Sequence, residues 1–162
     1  MTLLHPGDTF PDLTVIPPAS PALQLPDALA GRFGVVLFYR GAWCPYCNAQ
    51  LQAFQIAQEG LAKVGAAVVA LSVDDEATTA ELIAKHGLSF PVGHSADAKV
   101  VAEATGAFVN AEPTYLQSTG FVLRPDGRVV VSVYSSGAIG RVVAEDVIGV
   151  IRYLRDHARS AT

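Results

Sequence analysis

The sequence contains few of the residues that mark several common classes of protein. Among its 162 residues there are only two cysteines, one tryptophan and one methionine. Charged residues make up 16% and hydrophobic residues 51%, a composition that excludes a disordered chain and a coiled coil. A chain of this length can bury a large apolar core, so its fold needs no disulfide framework and no structural metal.

Basic residues and long apolar runs are also scarce. Lys and Arg number 11 against 15 Asp and Glu, a formal net charge of -4, so we expect neither a nucleic-acid interface nor a polybasic membrane segment. The longest apolar stretches, 35–39 and 66–71, are far shorter than the roughly 20 residues that span a bilayer. Residues 1–8 lack the basic and apolar regions of a signal peptide. We therefore expect a cytoplasmic protein.

Strand-like and helix-like segments alternate along most of the chain. Short runs rich in β-formers predict strands, and apolar residues at helical spacing predict helices. In chain order these are a strand at 35–39, a helix at 45–64, a strand at 67–73, helices at 75–86 and 98–104, a hairpin of 120–123 with 128–134, and a C-terminal helix. The order predicts one α/β domain over 1–162, in which helices flank a mixed sheet with parallel central strands. Residues 17–21, rich in proline, predict a surface loop.

The two cysteines lie at the junction between the first buried strand and the first predicted helix. Pro45 suits the first helical position, which makes Cys44 the N-cap and places Cys47 in the first turn. The free N–H groups and the dipole of a helix N-terminus favour thiolate, the reactive form of cysteine. Arg40 lies close enough in sequence to add positive charge. The spacing also allows the two sulfurs to close a disulfide, so we predict a redox-active pair.

Two less reactive interpretations of the cysteine pair compete with redox chemistry. A zinc site would need two further ligands, and the four histidines, His5, His86, His94 and His157, show no metal-ligand spacing. We therefore expect no metal and no other cofactor. Two inert buried thiols are disfavoured by the Pro45-Tyr46 spacer at a junction of this kind. Trp43 fits two roles equally, a shield for the thiols or a cap on the core.

Short motifs in a consistent order resemble those of one family. They are Pro6-Gly7-Asp8, Phe10-Pro11-Asp12, Ser72-Val73-Asp74, Phe90-Pro91-Val92, Phe121-Val122-Leu123 and Asp126-Gly127. Each is weak alone, but together they resemble the peroxiredoxins of alkyl hydroperoxide reductase and thiol-specific antioxidant type, within the thioredoxin-fold superfamily. The resemblance covers nearly the whole chain. It implies a thioredoxin fold with an N-terminal extension and an antioxidant oxidoreductase that often forms homodimers.

The active-site motif departs from that of typical peroxiredoxins, Pro-x-x-x-Thr-x-x-Cys. Arg40 stands in the Pro position, Cys44 in the Thr position and Cys47 in the position of the peroxide-reactive Cys. The segment instead resembles a peroxiredoxin-like subgroup that reads Phe-Tyr-Arg-Gly-x-Trp-Cys-Pro-Tyr-Cys. Ser118 occupies the place of a family arginine or of the cis-proline of thioredoxins. Arg141 is a candidate to supply the missing charge from another loop, and a solvated surface arginine is an equally good interpretation.

The resemblance implies a thiol peroxidase acting on hydrogen peroxide or organic hydroperoxides. Cys47 would form a sulfenic acid, Cys44 would resolve it as a disulfide, and an external thiol or thioredoxin-type protein would reduce the pair. The alternative is a thioredoxin-like disulfide oxidoreductase with Cys44 as nucleophile and Cys47 as resolver, and a third is a redox sensor without turnover. Trp43 and Tyr46 are expected to flank the entrance, together with Pro45.

Overall fold

The computed structural model of the protein describes residues 2–158. The strands in this part of the chain are β1 (Leu13–Val15), β2 (Leu23–Leu25), β3 (Phe33–Phe38), β4 (Ala66–Leu71), β5 (Val92–Gly93), β6 (Val109–Asn110), β7 (Tyr115–Leu116), β8 (Thr119–Leu123) and β9 (Val129–Tyr134). The helices are α1 (Pro45–Ile56), α2 (Gln58–Lys63), α3 (Glu76–His86), α4 (Ala98–Thr105) and α5 (Ala144–Ala158). None of these helices is both long and apolar enough to cross a lipid bilayer.

Five strands form the central sheet in the order β5-β4-β3-β8-β9. Strand β3 lies at its centre, parallel to β4 and antiparallel to β8. Strands β8 and β9 are the predicted hairpin around the Pro-Asp-Gly turn. The predicted mixed sheet, with parallel central strands and an antiparallel hairpin, is confirmed.

Side chains of β3 alternate between two apolar cores, one on each face of the sheet. Val35 and Leu37 pack with α1 and α5, whereas Val36 and Phe38 pack with the N-terminal segment and α4. Both faces of the strand are therefore covered, as its continuous apolar sequence predicts. The carboxyl end of β3 is the edge of the sheet from which the cysteine loop leaves.

One local prediction differs from the structure, and one pair of strands adds to the predicted elements. A single helix over 45–64 is wrong, because the chain leaves helical geometry at Ala57, where ψ is 3°. The break separates α1 from α2 while Phe54 and Leu61, one in each helix, both remain fully buried. The N-terminal extension also contains an antiparallel pair, β1 with β2, on either side of the predicted loop at 17–21. Leu13 and Leu25 of this pair are buried against the sheet.

Candidate active site

Cys44 and Cys47 lie at the N-terminus of α1, just beyond the carboxyl end of β3. Cys44 has extended backbone angles and is the N-cap, Pro45 occupies the first helical position, and the Cys47 N–H donates to Cys44 Sγ at 3.3 Å. Both thiols are free and neither side chain is exposed to solvent. The predicted N-cap geometry is confirmed, and the two sulfurs are equally covered.

Donors from two arginines surround the sulfurs. The backbone N–H of Arg40 donates to Cys47 Sγ at 3.3 Å, and its Nη1 lies 3.8 Å from Cys44 Sγ. Arg141 Nη2 lies 3.1 Å from Cys47 Sγ and 3.6 Å from Cys44 Sγ. Arg141, from the loop that precedes α5, therefore reaches both thiols and is not a solvated surface arginine.

The pKa values of the two thiols are shifted in opposite directions. Burial opposes ionisation of Cys44, but hydrogen bonds from the Cys47 thiol and amide, and the charges of Arg40 and Arg141, lower its pKa below the ordinary value. Burial and the hydrogen bond to Cys44 raise the pKa of Cys47, against the Arg40 amide and Arg141. The pair thus gives up its first proton more readily than a free thiol and its second less readily.

A buried glutamine holds the Arg141 loop against α1. Gln50 Nε2 donates to the carbonyl of Val142 at 3.0 Å, and Arg141 Nη1 donates to the carbonyl of Ala138 at 2.5 Å. Beside this loop is an apolar groove of 430 Å³ lined by α1 and by residues 139–144. Tyr46 lies along the groove, and its ring centroid is 5.7 Å from Arg141 Cζ. The groove therefore adjoins the arginine that contacts the thiols.

Two further residues contact the site, although the sequence does not predict either of them as a site residue. Tyr115 of β7 accepts a hydrogen bond from Arg40 Nη2 at 2.9 Å, although it is 75 residues away. Burial opposes the charge of Arg40, but its hydrogen bonds to Tyr115 and Cys44 raise its pKa. Asp74, just beyond β4, accepts the N–H of Ala42 at 2.8 Å and ties down the cysteine loop. The sequence feature that indicates Asp74 is its place just after β4, the strand that lies parallel to β3.

The other residues considered from the sequence lie at different distances from the two cysteines. Trp43, directly before Cys44, is 56% exposed, and Tyr46, directly before Cys47, is 54% exposed. Trp43 packs edge-to-face on Tyr115 and therefore does not cap the core. His94 contacts Glu76 and Ser95 rather than the thiols. Among residues 2–158, no three His, Cys, Asp or Glu side chains are grouped so that they could hold a metal ion.

A reduced Cys-x-x-Cys pair at a helix N-terminus, on the carboxyl edge of a mixed five-stranded sheet, defines a thiol-dependent redox protein of the thioredoxin fold. The profile of the AhpC/TSA family matches residues 6–132. The chain belongs to this family.

Individual relatives agree with that assignment. A peroxiredoxin of Methanothermobacter thermautotrophicus is 30% identical over 155 residues, which are 92% of this chain and 72% of that protein. A peroxiredoxin of Treponema denticola is 27% identical, over 92% of this chain and 73% of its own. The crystal structure of the peroxidoxin BcpB of Mycobacterium tuberculosis superposes with a TM-score of 0.80 at 21% identity, over 94% of this chain and 99% of that one. The protein is accordingly an oxidoreductase, a thiol peroxidase with two neighbouring cysteines that fit a redox-active site.

Proposed function

We propose that Cys47 is the thiolate that attacks the hydroperoxide and that Cys44 resolves the product. The observation that carries the proposal is the convergence of two donors on Cys47 Sγ, the Arg40 amide at 3.3 Å and Arg141 Nη2 at 3.1 Å. Donors fixed in this way stabilise the thiolate and the negative charge that develops during attack. Cys47 also aligns with the peroxide-reactive cysteine in the motif of typical peroxiredoxins, which supports the proposal.

In the first step, Cys47 loses its proton, either to the Cys44 thiolate that hydrogen-bonds to it in the wild type or to solvent. The Cys47 thiolate then attacks one oxygen of the hydroperoxide, an S–O bond forms and the O–O bond breaks. The leaving oxygen takes up a proton and departs as an alcohol, or as water when the substrate is hydrogen peroxide. Cys47 is left as a sulfenic acid, oxidised by two electrons.

In the second step, Cys44 attacks the sulfur of the Cys47 sulfenic acid. An S–S bond forms, the S–O bond breaks, and hydroxide leaves with a proton as water. The lowered pKa of Cys44 favours its thiolate, which is the form required for this attack. An external dithiol, such as a thioredoxin-type protein, then restores both thiols through a mixed disulfide.

The apolar groove supports organic hydroperoxides as substrates beside hydrogen peroxide. Ala49, Ala53 and Phe54 of α1 form one wall, and Ile139 and Val143 lie opposite. An apolar substituent in this groove would leave water, while its peroxide group lies toward Arg141. Hydrogen peroxide has no group to place there.

The experiment that tests the proposal is oxidation of two single-cysteine variants by one equivalent of peroxide, followed by intact mass. Cys44→Ser keeps an N-cap that serine fills well, so the helix start is preserved. We expect Cys44→Ser to gain one oxygen much faster than a free thiolate does, and Cys47→Ser to react slowly. If peroxide leaves Cys44→Ser unmodified while the wild type oxidises, the assignment is wrong. Parallel oxidation by cumene hydroperoxide, which carries an apolar substituent, tests whether the groove accepts organic hydroperoxides.

A second function is favoured by the pKa of Cys44. A lowered pKa at the N-cap position fits a thioredoxin-like disulfide oxidoreductase, in which Cys44 attacks a substrate disulfide and Cys47 resolves the mixed disulfide. Reduction of insulin disulfides would then be fast and would depend on Cys44. Slow reduction by the wild type, with fast peroxide turnover, excludes this function.

Location and assembly complete the proposal. We propose that the protein works in the cytoplasm, where thiol reductants keep such a pair active, as one domain over 1–162. We also propose that it forms a homodimer, as the family resemblance implies. Light scattering on the purified protein measures the mass of the assembly, and a mass near 17.0 kDa excludes the dimer.

A further inference from the structure

The side chain of Arg40 rests against two aromatic rings that also touch each other. Arg40 Cζ lies 4.9 Å from the ring centroid of Trp43 and 5.1 Å from that of Tyr115. The two rings meet edge-to-face with centroids 5.0 Å apart. A side chain at Gly41 would collide with the Trp43 indole, so the glycine allows the ring to lie over the loop. Arg40 is therefore held on a small aromatic platform.

Hydrogen bonds fix the direction of the Arg40 guanidinium on this platform. Nη2 donates to the Tyr115 hydroxyl at 2.9 Å, and Nη1 is turned toward Cys44 Sγ at 3.8 Å. The guanidinium is planar, so an anchor on one Nη sets the position of the other. Without the hydroxyl, the ring faces alone would hold the charge, and they restrict its rotation less.

Tyr115 is itself well placed to act as an anchor. It lies in β7, whose next residue, Leu116, is fully buried, and β7 pairs with β6. The N–H of Gln117 donates to the carbonyl of Phe108 at 2.9 Å and closes this small hairpin. The tyrosine side chain therefore extends from fixed backbone to the cysteine loop.

We propose that Tyr115 is a positioning residue for the redox pair, and that its hydroxyl holds Arg40 so that the guanidinium faces the Cys44 thiol. This deepens the proposed function at the same site, and it concerns the reactivity of Cys44 whichever cysteine meets the peroxide. The titratable and charged groups around Cys44 are Cys47 on its own helix, Arg40 on the preceding loop, Arg141 from the loop before α5, Tyr115 from β7 and Asp74 beyond β4.

The test measures alkylation of Cys44 by iodoacetamide as a function of pH, in a Cys47→Ser background that removes the second thiol. We expect Tyr115→Phe, which keeps the ring and loses the hydroxyl, to slow alkylation at pH 7 about threefold and to move the midpoint of the pH profile upward. Tyr115→Leu, which loses the ring as well, should have a larger effect. Tyr153→Phe, on the exposed face of α5, is the matched control and should leave the profile unchanged.

A double-variant cycle separates positioning from packing. If Tyr115 acts through Arg40, Tyr115→Phe has no further effect on the profile once Arg40→Met is present. An unchanged profile for Tyr115→Phe alone, or an equal shift with and without Arg40, overturns the proposal. Because no peroxide is used, this result is independent of whether Cys44→Ser forms a sulfenic acid.

Discussion

Two arginines far apart in the sequence bring their donors to the same two sulfurs. Arg40 approaches from the loop after β3 and Arg141 from the loop before α5. Each sulfur is buried, and a buried thiolate is stable only when charge or hydrogen bonds replace the water it loses. Arg141 approaches Cys47 Sγ more closely than any other donor in the site, so we expect its loss to have the largest effect on the reactivity of Cys47.

We expect Arg141→Met to slow oxidation of Cys47 by about a hundredfold to a thousandfold, the range found when one preorganised donor is removed. The reason is loss of the charge that lies 3.1 Å from Cys47 Sγ. Stopped-flow measurement of sulfenic acid formation in the Cys44→Ser background gives this rate directly. Arg124→Met, at an exposed arginine on the β8–β9 turn, is the matched control. Equal rates for the two variants would show that Arg141 has no part in the step.

At the scale of secondary structure, the site depends on where neighbouring elements end. The parallel strands β3 and β4 end side by side, so Asp74 beyond β4 accepts the Ala42 N–H from the cysteine loop. Burial raises the pKa of Asp74, although the Ala42 amide and Ser72 hydrogen-bond to its charged form and oppose the shift. The carboxylate thus holds the loop in place but is less stable in the folded protein than in the unfolded chain.

This linkage predicts how stability changes with pH. A carboxyl group whose folded pKa is raised favours folding while it is protonated, and that stability is lost as pH rises from the unfolded pKa through the folded one. Asp74→Asn keeps an oxygen for the Ala42 N–H and cannot ionise. We therefore expect its free energy of unfolding, relative to wild type, to increase between pH 3 and pH 7. Asp74→Ala leaves the amide without its partner and should cost about 1–2 kcal/mol.

Urea unfolding of each variant at both pH values measures the effect. Asp12→Asn, at an exposed carboxylate, is the control and should shift stability little at either pH. A difference between Asp74→Asn and wild type that is the same at pH 3 and pH 7 contradicts the linkage.

The sequence predicts those parts of the site that depend on residues close together in the chain, and not those that depend on residues far apart in it. The N-cap at Cys44, Pro45 in the first turn and the helix predicted at 75–86, observed as Glu76–His86, follow from local chemistry. The sequence does not predict the contact of Tyr115 and does not decide the role of Arg141, because only the tertiary fold brings β7 and the loop before α5 to the cysteines. No local periodicity specifies such contacts.

At the scale of the whole molecule, a glycine in the central sheet makes room for the segment that carries Arg141. Gly120 lies in β8 on the face that carries α1 and α5, and a Cβ there would lie 2.5 Å from Val142 Cγ2. The absence of a side chain lets the segment that contains Val142 and Arg141 pack directly on the sheet. Gln50 then fixes the same segment from α1. The position of Arg141 is thus set jointly by the sheet and the helix.

We expect Gly120→Ala to push this segment away from the sheet and to slow Cys47 oxidation about tenfold or more, because small displacements of a preorganised donor are costly. Gly34→Ala is the matched control, since its Cβ would lie 2.7 Å from Leu29 Cδ1 in the other core. Both substitutions overpack the interior and should cost about 1–3 kcal/mol by urea unfolding. Only Gly120→Ala should slow sulfenic acid formation in the Cys44→Ser background. If both variants slow it equally, the loss reflects general destabilisation, and the sheet does not position Arg141.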